Sequence, residues 1–318
     1  MSALGLCGLL LCGPGFCAPA RDYTRLVVLS DLHLPGRLGP LKRRALETVN
    51  AWPDVDAVVA LGDIVETTGS REEYAFAKSF LSQLRPPLYP VAGNHEYIYV
   101  PSGGKKLKRG TRASQRARLR LFQETFSLPA LHYEKRFGPY LVLFVSVDAV
   151  GGRYLTELSP ETLLWLGREL RRHRRLPTIV FFHAPLEGTL RIRREDVENS
   201  NLFAQPKAPI RELIRQNPQI FLWVSGHAHI APTNARFNNP LNLYEGRVTG
   251  IHNCDLDGRS ALKETETAVT EHDRLWINSL FLYADRVVVK TYDLRRQAWL
   301  EELTRVIRPP EAFAEMSR

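Results

Sequence analysis

Seven residues of metal-binding type, Asp31, His33, Asp63, Asn94, His183, His227 and His229, fall in five short clusters. These are Asp31-Leu32-His33, Gly62-Asp63-Ile64-Val65-Glu66, Gly93-Asn94-His95-Glu96, His183, and Gly226-His227-Ala228-His229. Carboxylate, amide and imidazole donors without a thiolate suit Mn, Fe, Zn or Co rather than a soft metal. Asp31 and His33 are two apart, so in an extended segment their side chains point the same way and can grip one ion. Asp63 is a carboxylate able to bridge two ions, Asn94 offers a neutral amide oxygen, and the histidines offer imidazole nitrogens. Two ions roughly 3.5–4 Å apart, each keeping an open position, can bridge a hydroxide and clamp the attacking and leaving oxygens of a phosphoryl centre.

For this to be one site, the chain must bring the clusters together. Residues 25–30, 57–61 and 88–91 read as short buried strands rich in β-branched residues, and residues 41–50 and 72–84 as helices closed by Pro53 and by Pro86-Pro87. That alternation implies crossover helices and a largely parallel sheet, in which ligands sit beyond the carboxyl ends of the strands. Asp31, Asp63 and Asn94 each follow such an end by one to three residues. Strands over 178–182 and 220–225 would deliver His183 and His227 in the same way. A helix over 112–126, a strand over 140–147, and a helix from Ser159 or Pro160 to about His173, with Ser159 as cap, complete this part. Residues 275–283 and 286–293 alternate like antiparallel strands about Ala284-Asp285. Residues 97–111, rich in Gly, Lys and Tyr, read as a long loop or insertion.

The ordered set D-x-H, G-D-x-x-[DE], G-N-H-[DE], H and G-H-x-H resembles the calcineurin-like metallophosphoesterase family from about residue 25 to 229. The run 152–170 is similar to a helix of its cyclic-nucleotide phosphodiesterase and purple-acid-phosphatase-like branches. The resemblance implies an α/β (α+β) fold, a four-layer αββα sandwich of two mixed β-sheets flanked by helices. It implies that Asp31, His33 and His229 hold one divalent ion, that Asn94, His183 and His227 hold a second, and that Asp63 bridges them. The ions would be Mn, Fe or Zn. His95 would orient the phosphate and protonate the leaving oxygen, work suited to an imidazole. Glu66 and Glu96 stand where the family often has Asp, and are expected to orient metal-bound histidines or water.

The implied activity is hydrolysis of a phosphomonoester or phosphodiester by a metal-bridging hydroxide, on a small phosphoester substrate. A nuclease is the alternative within that chemistry, and an enzyme acting on lipid head groups at a membrane surface is another. Substrate choice is expected to lie in residues 97–111 and 188–207. His132, His173, His252 and His272 match no motif and are read as structural; His252, Asp148 and Asp255 could border the cleft.

At 318 residues, 44% hydrophobic and 24% charged, the chain can bury a large core. Its +9 formal charge is concentrated. Residues 105–120 carry eight basic side chains and no acidic one, and residues 168–175 carry five arginines. Following the third cluster closely, the first run would rim the site and attract an anionic substrate. Few aromatics interleave with it, which disfavours a single-strand nucleic-acid platform. Residues 1–20 hold no charged side chain and end Ala18-Pro19-Ala20, the pattern of a signal peptide cleaved after Ala20, although no Lys or Arg precedes the apolar run. That run is too short to span a bilayer. The expectation is one domain over 21–318, exported to a periplasmic or extracellular space, with a cytoplasmic location as the alternative. Cys7, Cys12 and Cys17 would leave with the leader, so Cys254 alone remains and no internal disulfide framework is possible. Oligomeric state is open.

Overall fold

The computed structural model describes residues 21–102, 107–191, 200–237, 242–264, 269–272 and 275–314. The leader-like residues 1–20, with Lys105, Lys106 and residues 192–199, lie outside them.

The first half alternates as read: β1 (Tyr23–Leu29), α1 (Gly39–Ala51), β2 (Ala57–Leu61), α2 (Arg71–Leu81) and β3 (Leu88–Val91). A ribbon of β4 (Tyr99–Val100) and β5 (Lys108–Arg109) precedes α3 (Arg112–Thr125). Then follow β6 (Tyr133–Phe137), β7 (Tyr140–Val145), α4 (Pro160–Arg172), β8 (Thr178–Phe182), α5 (Lys207–Gln216) and β9 (Ile220–Ser225). The remainder is β10 (Leu243–Tyr244), β11 (Val248–His252), β12 (Ala261–Glu264), β13 (Val269–His272), β14 (Trp276–Tyr283), β15 (Val287–Asp293), β16 (Ala298–Ile307) and a short α6 (Glu311–Ala314).

Two six-stranded mixed sheets result, ordered β16-β15-β14-β1-β2-β3 and β10-β11-β9-β8-β7-β6. β1, β2 and β3 are parallel, as are β7, β8, β9 and β11. β14, β15 and β16 extend the first sheet antiparallel, and β6 and β10 close the second. The two-residue period of a strand sorts side chains into layers. Leu26 and Val28 of β1 enter the interface between the sheets with Val142, Phe144, Phe181 and Val224. Val27 and Leu29 face the other way, into the core that holds Ala45 and Val49 of α1 and Ala77 of α2. The outer face of the second sheet, through Leu143, Val145 and Phe182, shares that core with Leu166 of α4 and Ile210 of α5. This is the expected αββα sandwich.

Caps mark the helix starts. Ser70 and Glu73 form a reciprocal capping box at α2. Ser159 accepts from the Thr162 N–H at 3.2 Å ahead of Pro160. Helix α5 escaped sequence reading because Pro206 precedes it without a side-chain cap and Pro209 sits in its first turn. The segment read as a loop begins in the core: Tyr97 and Ile98 are fully buried, and Gly110 N–H closes the ribbon onto Ile98 O at 2.7 Å. Two apolar residues there continue the core, and the ribbon only begins beyond them.

Phe144 stacks on Tyr89, Tyr133 and Phe181 with centroids 5.1, 4.9 and 5.5 Å away, and is fully buried. Phe144→Ala is expected to cost roughly 3–5 kcal/mol, read as a lower urea midpoint at unchanged slope.

Candidate metal centre

Every candidate residue lies just past a carboxyl-terminal strand end. Asp31 and His33 follow β1, Asp63 follows β2, Asn94 and His95 follow β3, His183 follows β8, and His227 and His229 follow β9. Because β1–β3 and β8–β9 are parallel within their sheets, these ends open at one edge. Asp31, His33, Asp63, Asn94 and His183 are at most 3% exposed. The potential ligand atoms of Asp31, His33 and His229 lie within 4.8 Å of one another, and so do those of Asp63, His183 and His227. His33, Asp63 and His95 form a third such set between them. His183 Nε2 is 3.2 Å from Asp63 Oδ2 and 3.9 Å from Asp31 Oδ1, while His229 Nε2 is 3.1 Å from Asp31 Oδ1.

The loops are shaped for this convergence. Asp31, His33, Asp63, His227 and His229 all have left-handed backbone, with φ between 45° and 70°. Such non-glycine residues cost free energy and cluster where function demands them. The Asp31–His33 segment is therefore not extended as first read; repeated positive φ, rather than strand alternation, brings its two side chains to one place. A Cβ on Gly93 would collide with the Asp63 carboxylate and the His183 ring, and one on Gly226 with Ser30 and Asp31. Both motif glycines are there for close approach.

Two neighbours orient the imidazoles. His183 Nδ1–H donates to Leu61 O at 3.0 Å and His227 Nε2–H to Asn201 O at 2.7 Å. Since a carbonyl only accepts, Nδ1 of His183 and Nε2 of His227 are committed as donors, which leaves Nε2 of His183 and Nδ1 of His227 to face a cation once deprotonated. His183 Nε2 and Asn94 Oδ1 are buried with no hydrogen-bond partner. Buried polar atoms without partners cost free energy, so a cation at this place fits the donor set.

The charge balance points the same way. Burial penalises the Asp31 carboxylate, but His183 and His229 outweigh it and hold the group below the usual carboxylate range. Asp63 is likewise held low, by His183 and His95 against burial. Burial opposes charging His183 and His229, yet Asp63 and Asp31 push His183 up to about 10, and Asp31 pushes His229 up to about 9. His33, desolvated, and His227, desolvated and facing His183, fall to about 4.

Residues 24–231 match the calcineurin-like phosphoesterase family. The chain belongs to that family. It is 26% identical over 185 residues to a probable glycerophosphodiester phosphodiesterase of Arcobacter nitrofigilis, covering 58% of this chain and 60% of that one. It is 26% identical over 164 residues to a probable cyclic nucleotide phosphodiesterase of Moraxella catarrhalis, covering 50% and 57%. The chain thus spans less than two thirds of the curated relatives it matches. Two solved structures share its fold at 14% identity. A purple acid phosphatase from yellow lupin gives a TM-score of 0.63 over 93% of this chain and 55% of that one. A dimetal phosphatase from Danio rerio gives 0.59 over 91% and 100%.

Around the family motifs, Glu96 does something other than expected. It is fully buried and its carboxylate accepts from the N–H groups of Asp63 (2.8 Å), Ile64 (2.7 Å), Val65 (3.0 Å) and Gly93 (2.6 Å). These bonds staple the second motif loop to the third. Burial and the Asp63 charge push it up to about 8, against the four N–H donors. Glu66 is half-buried and accepts from Gly36 N–H at 3.2 Å, a bond to the turn after His33. Of the unassigned residues, Asp148 accepts from Ser159 and Thr162 at the start of α4 and pairs with His132 at 3.2 Å. His173 pairs with Glu134 at 3.2 Å beside Arg172. Asp255 shapes its own turn by accepting from Asp257 and Arg259 N–H groups. His252 is buried against Phe237 with Nδ1 3.2 Å from Ser225 Oγ, and His272 meets Arg259 O. His252 and Asp255 also border the centre: the His252 ring feels Asp31, His229, His227 and His183, and the Asp255 charge raises His229.

Sequence reasoning passed over Lys42 and Tyr99. Lys42 is fully buried, donates to His33 O at 3.1 Å and pairs with buried Asp257 at 2.7 Å. A signal existed: Lys42, Ala45, Leu46 and Val49 share the inward helical spacing of α1. The Tyr99 ring packs edge-on against His95 at 5.2 Å, and its hydroxyl oxygen accepts from the Asn94 amide N–H. No motif marks it.

Two outcomes test this centre. Glu96→Gln turns an amide N–H toward backbone donors and is expected to cost roughly 1–3 kcal/mol of stability by urea denaturation. Because Asp63 and Asp31 favour the protonated forms of His183 and His229, an ion that binds there displaces protons. Binding of Zn or Mn at about pH 7 is expected to release protons, measured with an indicator dye, and to tighten as pH rises toward 9 and 10. A metal affinity flat between about pH 6 and 8 would contradict the protonated pair.

Proposed function

We propose that the protein is a metal-dependent phosphoric ester hydrolase whose substrates are small phosphodiesters or phosphomonoesters. The observation that carries this reading is the pair of ligand sets, Asp31/His33/His229 and Asp63/His183/His227, at one buried strand edge, with Asn94 Oδ1 and His183 Nε2 unpartnered between them. In the proposed assignment Asp31, His33 and His229 hold one divalent ion, Asn94, His183 and His227 hold the other, and Asp63 serves both. Bound there, the ions would supply Lewis acidity and lower the pKa of a water. Mn, Fe or Zn suit the oxygen and nitrogen donors.

The chain's own residues then do the following. His95 stands at the open side, half-buried, with Nε2 3.9 Å from Asp63 Oδ2 and its backbone N–H bonded to Asp63 Oδ1 at 2.9 Å. Its Nδ1 has no partner, so no carbonyl or carboxylate fixes its tautomer and either nitrogen is free to carry a proton. We assign it delivery of a proton to the leaving oxygen. The names of the two curated relatives favour a diester substrate. Export after Ala20 is our proposal for location, resting on the uncharged first twenty residues. It is tested by sequencing the N-terminus of the secreted or periplasmic protein, where Arg21 is expected first. Among the described residues no helix is long and apolar enough to cross a membrane.

After chelation, activity toward a phosphoester panel is expected to return with Mn, Fe or Zn. Asp63→Ala should lose metal binding and turnover together. His95→Ala should retain metal and lose on the order of 10²–10⁴ in rate toward esters with poor leaving groups, and much less toward p-nitrophenyl esters. Equal losses on both would remove the proton-donor role.

A further inference from the structure

The basic run after the third motif enters the structure through the β4–β5 ribbon. Arg109 lies directly opposite Tyr99 across it. The Tyr99 ring in turn touches His95, and its hydroxyl senses both the Asp63 carboxylate and the Arg109 guanidinium. The ribbon is therefore a wall of the metal centre, and Arg109 stands one side chain further out than His95.

The guanidinium is held by backbone. Nη1 donates to Gly152 O at 2.8 Å and Nη2 to Arg153 O at 3.2 Å. Those carbonyls belong to the loop after β7, which is itself tied to the third motif: Val147 N–H donates to Ala92 O at 2.9 Å and the Tyr97 hydroxyl to Ala149 O at 3.4 Å. Carbonyl anchors fix the direction of a guanidinium without neutralising it, and they leave three of its five N–H groups unused. No carboxylate pairs with Arg109 among the described residues. Beyond it, Arg112, Arg116 and Arg120 sit exposed at four-residue spacing on α3, also without a carboxylate partner among the described residues. Like charges at that spacing repel, so this flank holds positive charge at a cost and would draw an anion toward the edge.

We propose that Arg109 determines specificity by binding a second phosphate group, carried by the part of the substrate outside the scissile phosphoryl. A planar, oriented guanidinium with free N–H groups suits phosphate oxygens in a bidentate fork. Its place beyond Tyr99 puts it at the distance of a substituent, not of the reacting phosphorus. The proposal rests on the hydrolase reading above and names the substrate class within it: esters bearing an additional phosphate, such as diphosphates.

The test compares inorganic phosphate with pyrophosphate as ligands of the Mn-loaded protein by titration calorimetry, in wild type, Arg109→Gln and Arg109→Lys. Arg109→Gln is expected to weaken pyrophosphate roughly tenfold while phosphate changes less than about twofold, with Arg109→Lys in between. In turnover the matching effect is a higher KM for an ester with a second phosphate than for a simple ester. Equal weakening of both ligands would mean that Arg109 only braces the 147–153 loop, and no weakening of either would overturn the proposal outright. A wild-type protein that binds neither ligand and cleaves no ester would fail the hydrolase reading, and this proposal with it. Normal turnover with unchanged discrimination would fail Arg109 alone.

Discussion

Asp31 and Asp63, two carboxylates buried to within 2% of full enclosure, face the same small space. Removing one charge from water is costly and removing two of like sign side by side is worse, unless cations share the space. Within the chain itself the two aspartates favour the charged forms of His183 and His229 and raise both above the ordinary imidazole range. Two divalent ions meet the demand better, and with oxygen and nitrogen donors already aimed inward they need little rearrangement. The arrangement is a cation site before it is a catalytic one.

Holding that space open explains much of the surrounding structure. Parallel strands deliver each donor at the same edge, but the strands alone do not aim them. Left-handed backbone at five of the candidate ligands turns their side chains inward, and hydrogen bonds from neighbouring loops hold it there. Glu96 gathers four N–H groups from two motif loops, and Tyr74 of α2 donates its hydroxyl to Glu96 O at 2.8 Å. Lys42 braces the carbonyl of His33 from below. A strained loop persists only where its surroundings over-determine it.

The same fold carries many activities, so shared architecture at 14% identity says nothing of substrate. Beside the ligand clusters this chain carries a rim. The β4–β5 ribbon places Tyr99 against His95 and Arg109 behind it, and α3 continues the positive flank. These residues are tied to the centre through backbone carbonyls and ring contacts, so the rim moves with the site.

Ligand types, their order and the strand ends that precede them were all legible in the chain, because apolar β-branched runs and short Gly-Asp, Gly-Asn and Gly-His turns are local signals. The αββα layers were legible too, through resemblance, and two-residue periodicity in β1 and β8 agrees with it. Helix α5 was not, since its start lacks a cap, and residues 97–111 misled because glycine and lysine near their middle masked the buried Tyr97 and Ile98. Lys42 was passed over although its helical spacing was inward. The role of Glu96 was invisible, because a carboxylate that accepts four backbone N–H groups from residues up to 33 positions away is defined only when those loops meet. By itself the sequence determined which atoms could bind a cation and in what order they arrive. Only the tertiary structure decided that they share one buried space, that two aspartates there require compensating charge, and that the Arg109 guanidinium is anchored on the carbonyls of Gly152 and Arg153 beside Tyr99. Distance and burial set the strength of every electrostatic interaction involved, and neither is written in any single segment.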